Sequence, residues 1–390
     1  MKTHIHTAGV IGAGAMGSGI AQVFVLAGLR TFLYDASSKQ AEAAQKKIAA
    51  QLDALVQKGK ISADKAAHAV SLLHVAQTTS DLCDCELVIE AVVEDIRIKQ
   101  ELFADLESKV SHDAVLATNT SSLSVALLSS VLKHPSRFIG IHFFNPAQIL
   151  PLVEVIPGIN TDEKLPAVCC AWLQAWGKQP VIARDTPGFI VNRIARPYYS
   201  EAIRVFEEGI ADMPTIDWAM KHFGGFKMGP FELMDFIGHD VNFRVTESVW
   251  TQTFFEPRYK PSITQKRLFE AGHFGRKTGR GFYHYAGEAS LPSPVMDESK
   301  GQKIFFRILC MLMNEAADAC YLKIASATDI EVAMTRGVNY PKGLLQWANE
   351  TGISAVVAEI DELFAAYHEE RYRCSFLLRK MLAEGKNFDV

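Results

Sequence analysis

Short apolar, β-branched runs recur through the first half of the chain, at Ala8–Ile11, Thr31–Tyr34, Leu87–Val92, Val115–Thr118, Phe138–Phe143, Leu152–Ile156 and Val181–Ala183. Stretches of helical periodicity lie between several of them. This alternation predicts a doubly wound, mainly parallel sheet with helices on both faces, an α/β architecture. One helical stretch is longer than a minimal crossover requires. From Lys39 to Lys58 the chain is rich in Ala, Gln and Lys, with Ile48, Leu52, Leu55 and Val56 on one face. It stops at Gly59, and a second helix opens near Ser62 with Asp64 in its first turn. The pattern over about residues 39–70 fits an arm over a ligand and a long crossover equally well.

The alternation ends at Asp185-Thr186-Pro187-Gly188. Beyond it the periodicity is helical to residue 285. A Pro/Ser/acidic stretch, AGEASLPSPVMDESK, spans 286–300 and reads as a linker, and a last helical segment follows over 301–390. The expected organisation is therefore an α/β domain at 1–185, a helical domain at 186–285, the linker, and another helical domain at 301–390. The two helical parts look like copies of each other. A constant offset of 114 residues places Arg193 on Arg307, Glu201 on Glu315, Ala219-Met220 on Ala333-Met334, Phe226 on Tyr340, Gly229 on Gly343 and Gly238 on Gly352. It also places Asn192 on Phe306, so any chemistry of Asn192 belongs to the first copy only.

Composition narrows the function classes. The 390 residues are 48% hydrophobic and 22% charged, which suits two or three ordinary globular domains. Lys+Arg number 40 and Asp+Glu 44, giving a net charge of −4. That balance leaves no electrostatic footprint for nucleic acid or an anionic membrane, and no apolar run is long enough to span a bilayer. The polar N-terminus runs straight into the first strand, unlike a secretory signal. Neither Cys83 and Cys85 nor Cys169 and Cys170 have metal-ligand spacing. The seven cysteines read as reduced and structural in a cytoplasmic protein, and no metal site is expected.

Two groups of polar residues carry candidate chemistry. Gly12-Ala13-Gly14-Ala15-Met16-Gly17 follows the first strand and opens a helix, the arrangement that presents backbone N–H groups to a pyrophosphate. Asp35 ends the second strand, 18 residues after Gly17. A carboxylate there binds ribose hydroxyls and repels a 2′-phosphate, and Ala36-Ser37-Ser38 offers no arginine, so NAD is favoured over NADP. The second group lies at the ends of later strands: Ser121 in Thr118-Asn119-Thr120-Ser121-Ser122, His142 and Asn145 in Gly140–Pro146, and Glu154 among Leu152, Val153 and Val155. A carboxylate buried in such a strand needs a partner. Pairing Glu154 with His142 fixes the imidazole tautomer and leaves the other ring nitrogen as a base.

These residues fall in the segments GAGAMGSGIA, VIEAVVED, TNTSS, GIHFFNPA, LVEV, DTPGFIVNRI, MGPFELMDFIGHDV and FGRKTGRGFY. In this order they resemble the (S)-3-hydroxyacyl-CoA dehydrogenases over about residues 7–285. The resemblance implies a Rossmann-type NAD-binding domain with a helical arm for coenzyme A, followed by all-helical domains. It implies His142 as catalytic base, Glu154 as its orienting partner, and Ser121 and Asn192 as groups that hold the substrate oxygen. It implies cofactor contacts from Gly12, Gly14, Ala15, Met16, Gly17, Asp35, Glu94, Lys99, Ser121, Asn145 and Lys277, and a coenzyme A contact from Lys58. Gln51 stands where the family carries a hydroxyl. By residue type alone, Lys99 and Lys277 serve equally as surface lysines and Glu94 as a helix N-terminal acid.

The segment WGKQPV and the second helical copy resemble most the branch with the 3-hydroxyadipyl-CoA and 3-hydroxybutyryl-CoA dehydrogenases of bacteria, including those of phenylacetate degradation. Arg196, Arg204 and Lys227 are candidates for the far end of a dicarboxylyl chain. The expected assembly is a homodimer or a monomer whose two helical copies form a pseudo-dimer. The alternative function is a dehydrogenase of a free hydroxy acid or sugar acid on the same scaffold, for which the arm and Lys58 would have no use.

Overall fold

Each apolar run of the first half becomes a strand. The computed structural model describes residues 4–285 and 292–390, and the chain divides into two units, Met1–Thr186 and Pro187–Val390. The first unit runs β1 (Thr7–Ile11), α1 (Ala15–Leu26), β2 (Arg30–Tyr34), α2 (Ser38–Gln57), α3 (Ala63–Ser71), β3 (Leu73–Val75), β4 (Leu87–Glu90), α4 (Ile96–Glu107), β5 (Val115–Thr118), α5 (Val125–Ser129), β6 (Phe138–Phe143), β7 (Leu152–Pro157), α6 (Leu165–Ala175) and β8 (Gln179–Ile182). The sheet order is β3-β2-β1-β4-β5-β6-β7-β8. Every neighbouring pair is parallel except β6 with β7. The connection 144–151 between those two is too short for a crossover helix, so the chain turns back on itself.

The helices cover the sheet with small and branched side chains. Ala41, Ala44, Ile48 and Leu52 of α2 and Ala66 and Ala69 of α3 share one buried cluster with Ile20 and Phe24 of α1 and Leu33 of β2. The α2–α3 hairpin is thus the crossover that delivers β3 beside β2, and Lys58 stands exposed at the C-terminal end of α2. The strand β3 escapes a pattern search because it is three residues long with His74 at its centre.

The second unit is helical: α7 (Val191–Ile194), α8 (Arg196–Glu207), α9 (Met213–Gly224), α10 (Pro230–Ile237), α11 (His239–Gln252), α12 (Ile263–Glu270), α13 (Glu298–Tyr321), α14 (Ala327–Gly337), α15 (Leu344–Thr351), α16 (Ile353–Tyr367) and α17 (Phe376–Glu384). The succession α9–α12 is repeated by α14–α17. Of the expected linker, residues 286–291 lie outside the described residues, and α13 begins within it at Glu298, where the Asp297 carboxylate caps the Lys300 N–H at 3.0 Å.

The offset of 114 residues is matched bond for bond. Asp217 accepts from the N–H groups of Phe231 and Glu232 at the start of α10 (2.9 and 3.1 Å). Glu331 accepts from those of Leu345 and Gln346 at the start of α15 (2.8 and 3.1 Å). A methyl on Gly229 or on Gly343 would collide with the same acid, so both turns need glycine. Where the copies differ, one residue explains it. Pro197 withholds an N–H and splits α7 from α8, whereas Met311 occupies its place in the continuous α13.

Asp217 gives this unit a pH dependence. Burial pushes its carboxyl up to about 7, although Tyr283 and two backbone N–H groups donate to it. A carboxyl whose pKa rises on folding stabilises the fold while protonated, and that contribution is lost as pH climbs from about 4 to about 7. In urea denaturation across this range, the stability of Asp217→Asn relative to the unsubstituted protein should therefore rise with pH. A difference that stays level would show that Asp217 is charged throughout.

Candidate active site

The glycine turn is shaped partly by packing and partly by something else. A methyl on Gly17 would sit 1.8 Å from the carbonyl oxygen of Gly12, and one on Gly12, whose φ is +99°, would sit 2.5 Å from that of Ala91. Both positions therefore require glycine for the fold itself. A methyl on Gly14 would meet nothing within 4 Å. Gly14 and Ala15 are exposed at the N-terminus of α1, which no side chain caps. An open backbone face with unserved N–H groups suits a pyrophosphate. The Asp35 carboxylate borders this turn from the end of β2, accepting from the Ala13 N–H at 2.8 Å and the Ser37 N–H at 2.9 Å. These groups fit a dinucleotide.

Beside the turn, at the C-terminal ends of β4 and β5, stands an ionic cluster that sequence patterns reveal only in part. Lys99 is buried, not a surface lysine, and lies between Glu90 (2.9 Å) and Glu94 (2.8 Å). Glu90 is wholly buried and also accepts from the Thr118 hydroxyl at 2.7 Å and the Val92 N–H at 2.7 Å. Glu94 accepts from the Thr120 hydroxyl at 2.5 Å and from the N–H groups of Ser121 and Ser122 at 2.9 and 3.1 Å. Burial alone would raise the Glu94 pKa. The charge and hydrogen bond of Lys99, with Thr120 and Ser121, outweigh it and hold the group below the ordinary carboxylate range. Glu94 thereby fixes the backbone of the Ser121 loop. Glu90, Thr118 and Thr120 were not singled out from the sequence; the signal was an acid at the end of an all-apolar strand.

The antiparallel β6–β7 pair sets His142 directly opposite Glu154. Cross-strand neighbours project to one face, and His142 Nδ1 meets Glu154 Oε2 at 2.8 Å. Glu154 is fully buried and His142 nearly so. The strands are held at the end where they join. Asn119 Oδ1 accepts from the Phe143 N–H at 2.8 Å. In the loop that joins the strands, the buried Lys178 ammonium donates to the carbonyls of Ala147 (2.5 Å) and Leu150 (2.9 Å). Burial pulls Lys178 down to about 8. Asp185 ties the end of this unit back to α5, accepting from the N–H groups of Val125 and Ala126 at 3.1 and 2.8 Å. Lys178 and Asp185 stand in segments the sequence marks, WGKQPV and DTPGFIVNRI, but neither shows its bonding role there, because neither partner is near in the chain.

The remaining candidates divide between the units. Asn145 is exposed in the β6–β7 loop. Asn192 is half-buried in α7 of the second unit, where Lys277 is exposed and paired with Asp240 at 2.5 Å. Of the three cations considered for a distal carboxylate, Arg196 is buried against Thr246 (3.0 Å) and Arg204 is bidentate to Glu369 (2.9 and 2.6 Å). Lys227 is exposed. Among the described residues no group of acids, histidines and cysteines could hold a metal ion, and no helix is long and apolar enough to cross a membrane.

Comparison with known proteins agrees with this chemistry. Residues 7–186 match the family model "3-hydroxyacyl-CoA dehydrogenase, NAD binding domain". Residues 188–285 and 304–388 both match "3-hydroxyacyl-CoA dehydrogenase, C-terminal domain". The chain is 34% identical to a 3-hydroxyadipyl-CoA dehydrogenase of Escherichia coli (strain K12), covering 99% of each. It is 39% identical to a 3-hydroxybutyryl-CoA dehydrogenase of Bradyrhizobium diazoefficiens, covering 75% of this chain and all of that one. A crystal structure of a 3-hydroxybutyryl-CoA dehydrogenase from Escherichia coli K12 superposes with a TM-score of 0.92 at 33% identity, covering 98% of this chain and 99% of that one. The chain belongs to the 3-hydroxyacyl-CoA dehydrogenase family and is an NAD-dependent oxidoreductase.

Proposed function

We propose that the protein oxidises the hydroxyl of an (S)-3-hydroxyacyl-CoA to the 3-oxoacyl-CoA, reversibly, with His142 as the acid–base group. The observation that carries this is the buried His142–Glu154 pair at 2.8 Å. Glu154 accepts the Nδ1 proton, which leaves Nε2 to remove the proton from the substrate hydroxyl. As the ring gains that proton, the carboxylate beside it stabilises the imidazolium. In the reverse direction His142 returns the proton to the oxygen.

NAD, when bound, supplies the acceptor for the hydride that leaves C3. Gly12, Gly14, Ala15, Met16 and Gly17 would hold its pyrophosphate and Asp35 its ribose, with Glu94, Lys99, Ser121, Asn145 and Lys277 as further contacts. Lys99 reaches the cofactor through Glu94 in this reading, since its ammonium is already engaged by two carboxylates. Ser121 and Asn192 bind the substrate oxygen and orient the carbon that bears it. Lys58, exposed at the end of α2, binds coenzyme A.

The substrate is a 3-hydroxyadipyl-CoA or a short chain such as 3-hydroxybutyryl-CoA, and the compartment is the cytoplasm. Support for the second point is that the cysteines stand as free thiols, with Cys85, Cys169, Cys310 and Cys374 buried. The assembly is a monomer in which the second helical copy serves as an internal partner, or a homodimer.

Substitution of His142 by Gln should lower kcat by about 10²–10⁴-fold while NADH binding, read by fluorescence, is retained. Unchanged turnover would remove His142 from the mechanism. Initial rates of NADH formation with the (S)-3-hydroxybutyryl, (S)-3-hydroxyhexanoyl and (S)-3-hydroxyadipyl esters of coenzyme A decide the acyl chain. Support for the adipyl assignment is a preference of about tenfold or more in kcat/KM, equivalent to about 1.4 kcal/mol. A preference for butyryl or hexanoyl makes the protein a short-chain enzyme.

A further inference from the structure

The two helical copies exchange one buried bond in both directions. Arg193 Nε donates to Glu315 Oε1 at 2.8 Å, and Arg307 Nε donates to Glu201 Oε1 at 2.7 Å. The tyrosine hydroxyls of Tyr259 and Tyr372 donate to the same two oxygens. All four charged side chains are at most 9% exposed. As bonds, the two are equivalent. Their surroundings are not.

Arg193 follows Asn192, whereas Arg307 follows Phe306. The backbone differs as well. Asn192 and Arg193 lie in α7, a single turn entered through Gly188 and Phe189 at φ of +79° and +45° and cut off from α8 by Pro197. A lone turn has almost no stability of its own. Arg193 makes two of the bonds that hold it: its N–H reaches the Gly188 carbonyl at 3.1 Å, and its guanidinium reaches Glu315. Asp318 lies 3.9 Å from the same guanidinium, and the Tyr259 ring packs over it. Arg307, by contrast, sits within the 24 residues of α13, whose own backbone ladder runs on either side of it.

We propose that Glu315 of the second copy positions Asn192 of the first, acting through Arg193. The copy without the amide thus supports the copy that has it, and the reciprocal bond to Glu201 is structural only. The inference rests on the assignment of Asn192 to the substrate oxygen made above.

The symmetry of the two bonds supplies the control. Glu315→Gln leaves Arg193 facing an amide with Asp318 as its remaining acid, and Glu201→Gln leaves Arg307 facing one with Glu208 remaining, so both should lower Tm. Glu315→Gln alone should also lower kcat, by about 10-fold to 10²-fold as expected for a misplaced orienting group. Glu201→Gln should stay within about twofold of the unsubstituted enzyme. Arg193→Lys and Arg307→Lys, which keep the charge and lose the Nε donor, repeat the comparison should the glutamine variants fail to fold. Equal kcat within either matched pair overturns the proposal while the assignment of Asn192 stands. An Asn192→Ala variant that turns over normally overturns both.

Discussion

The burial of carboxylates organises this protein. Glu90, Glu154, Glu201, Asp217, Asp235 and Glu315 are each at most 1% exposed. A charged carboxylate without a partner is costly in such a place and is driven toward its neutral form, and a paired one still contributes little net stability. Each of the six therefore dictates what stands next to it. Glu154 needs a donor across the strand and has His142. Glu90 and Glu94 need a cation and draw Lys99 inward. Glu201 and Glu315 each take an arginine and a tyrosine from the opposite copy. Asp235 takes the His239 ring, two N–H groups and the Tyr285 hydroxyl. Packing could have been satisfied with apolar residues at every one of these positions. Ionic pairing instead fixes particular partners, and in the first unit the partners belong to the loops where a dinucleotide and a hydroxyl substrate would be held.

Much of this was legible in the sequence. Val115–Thr118 and Phe138–Phe143 form strands with the limits that the apolar pattern gives. The run Leu87–Val92 ends early, at Glu90, because that carboxylate turns back onto the Val92 N–H and closes the strand. The His142–Glu154 contact followed from two awkward polar residues in apolar strands, and the antiparallel register delivers it. What pattern alone could not supply was any partner distant in the chain. Lys99 is an ordinary helical lysine in sequence and a buried ion in the structure. Lys178, which pins the loop between the two dyad strands, reads as one lysine in a turn. Its acceptors are carbonyls, which carry no sequence signal at all.

The duplicated helical domains separate what the scaffold needs from what is particular to one copy. Common to both are the acid that caps the next helix (Asp217 and Glu331), the glycine that faces it (Gly229 and Gly343), the positive-φ glycine that links two helices (Gly238 and Gly352) and the crossed arginine–glutamate bond. These hold helices together regardless of function. Other polar residues of the first copy are changed in the second. Asn192 is matched by Phe306, Asp235 by Asn349 and His239 by Ile353. Asn349 binds backbone as Asp235 does, without its charge, bonding Phe388 in both directions at 2.9 and 2.8 Å.

The Asp235 comparison shows what the extra charge does. In the first copy the carboxylate gathers the segment from Gly275 to Tyr285, and methyl groups on Gly275 or Gly281 would strike Asp235 itself. That segment carries Lys277. In the second copy a neutral amide is sufficient to hold the backbone of Phe388. The buried Asp235–His239 pair at 2.9 Å joins α10 to α11 while the same carboxylate holds the segment from Gly275 to Tyr285 through the Phe282 and Tyr283 N–H groups. The same comparison applies to Arg193 and Arg307. A bond present in both copies is explained by assembly, and its consequence for chemistry depends on what the neighbouring residue has to do.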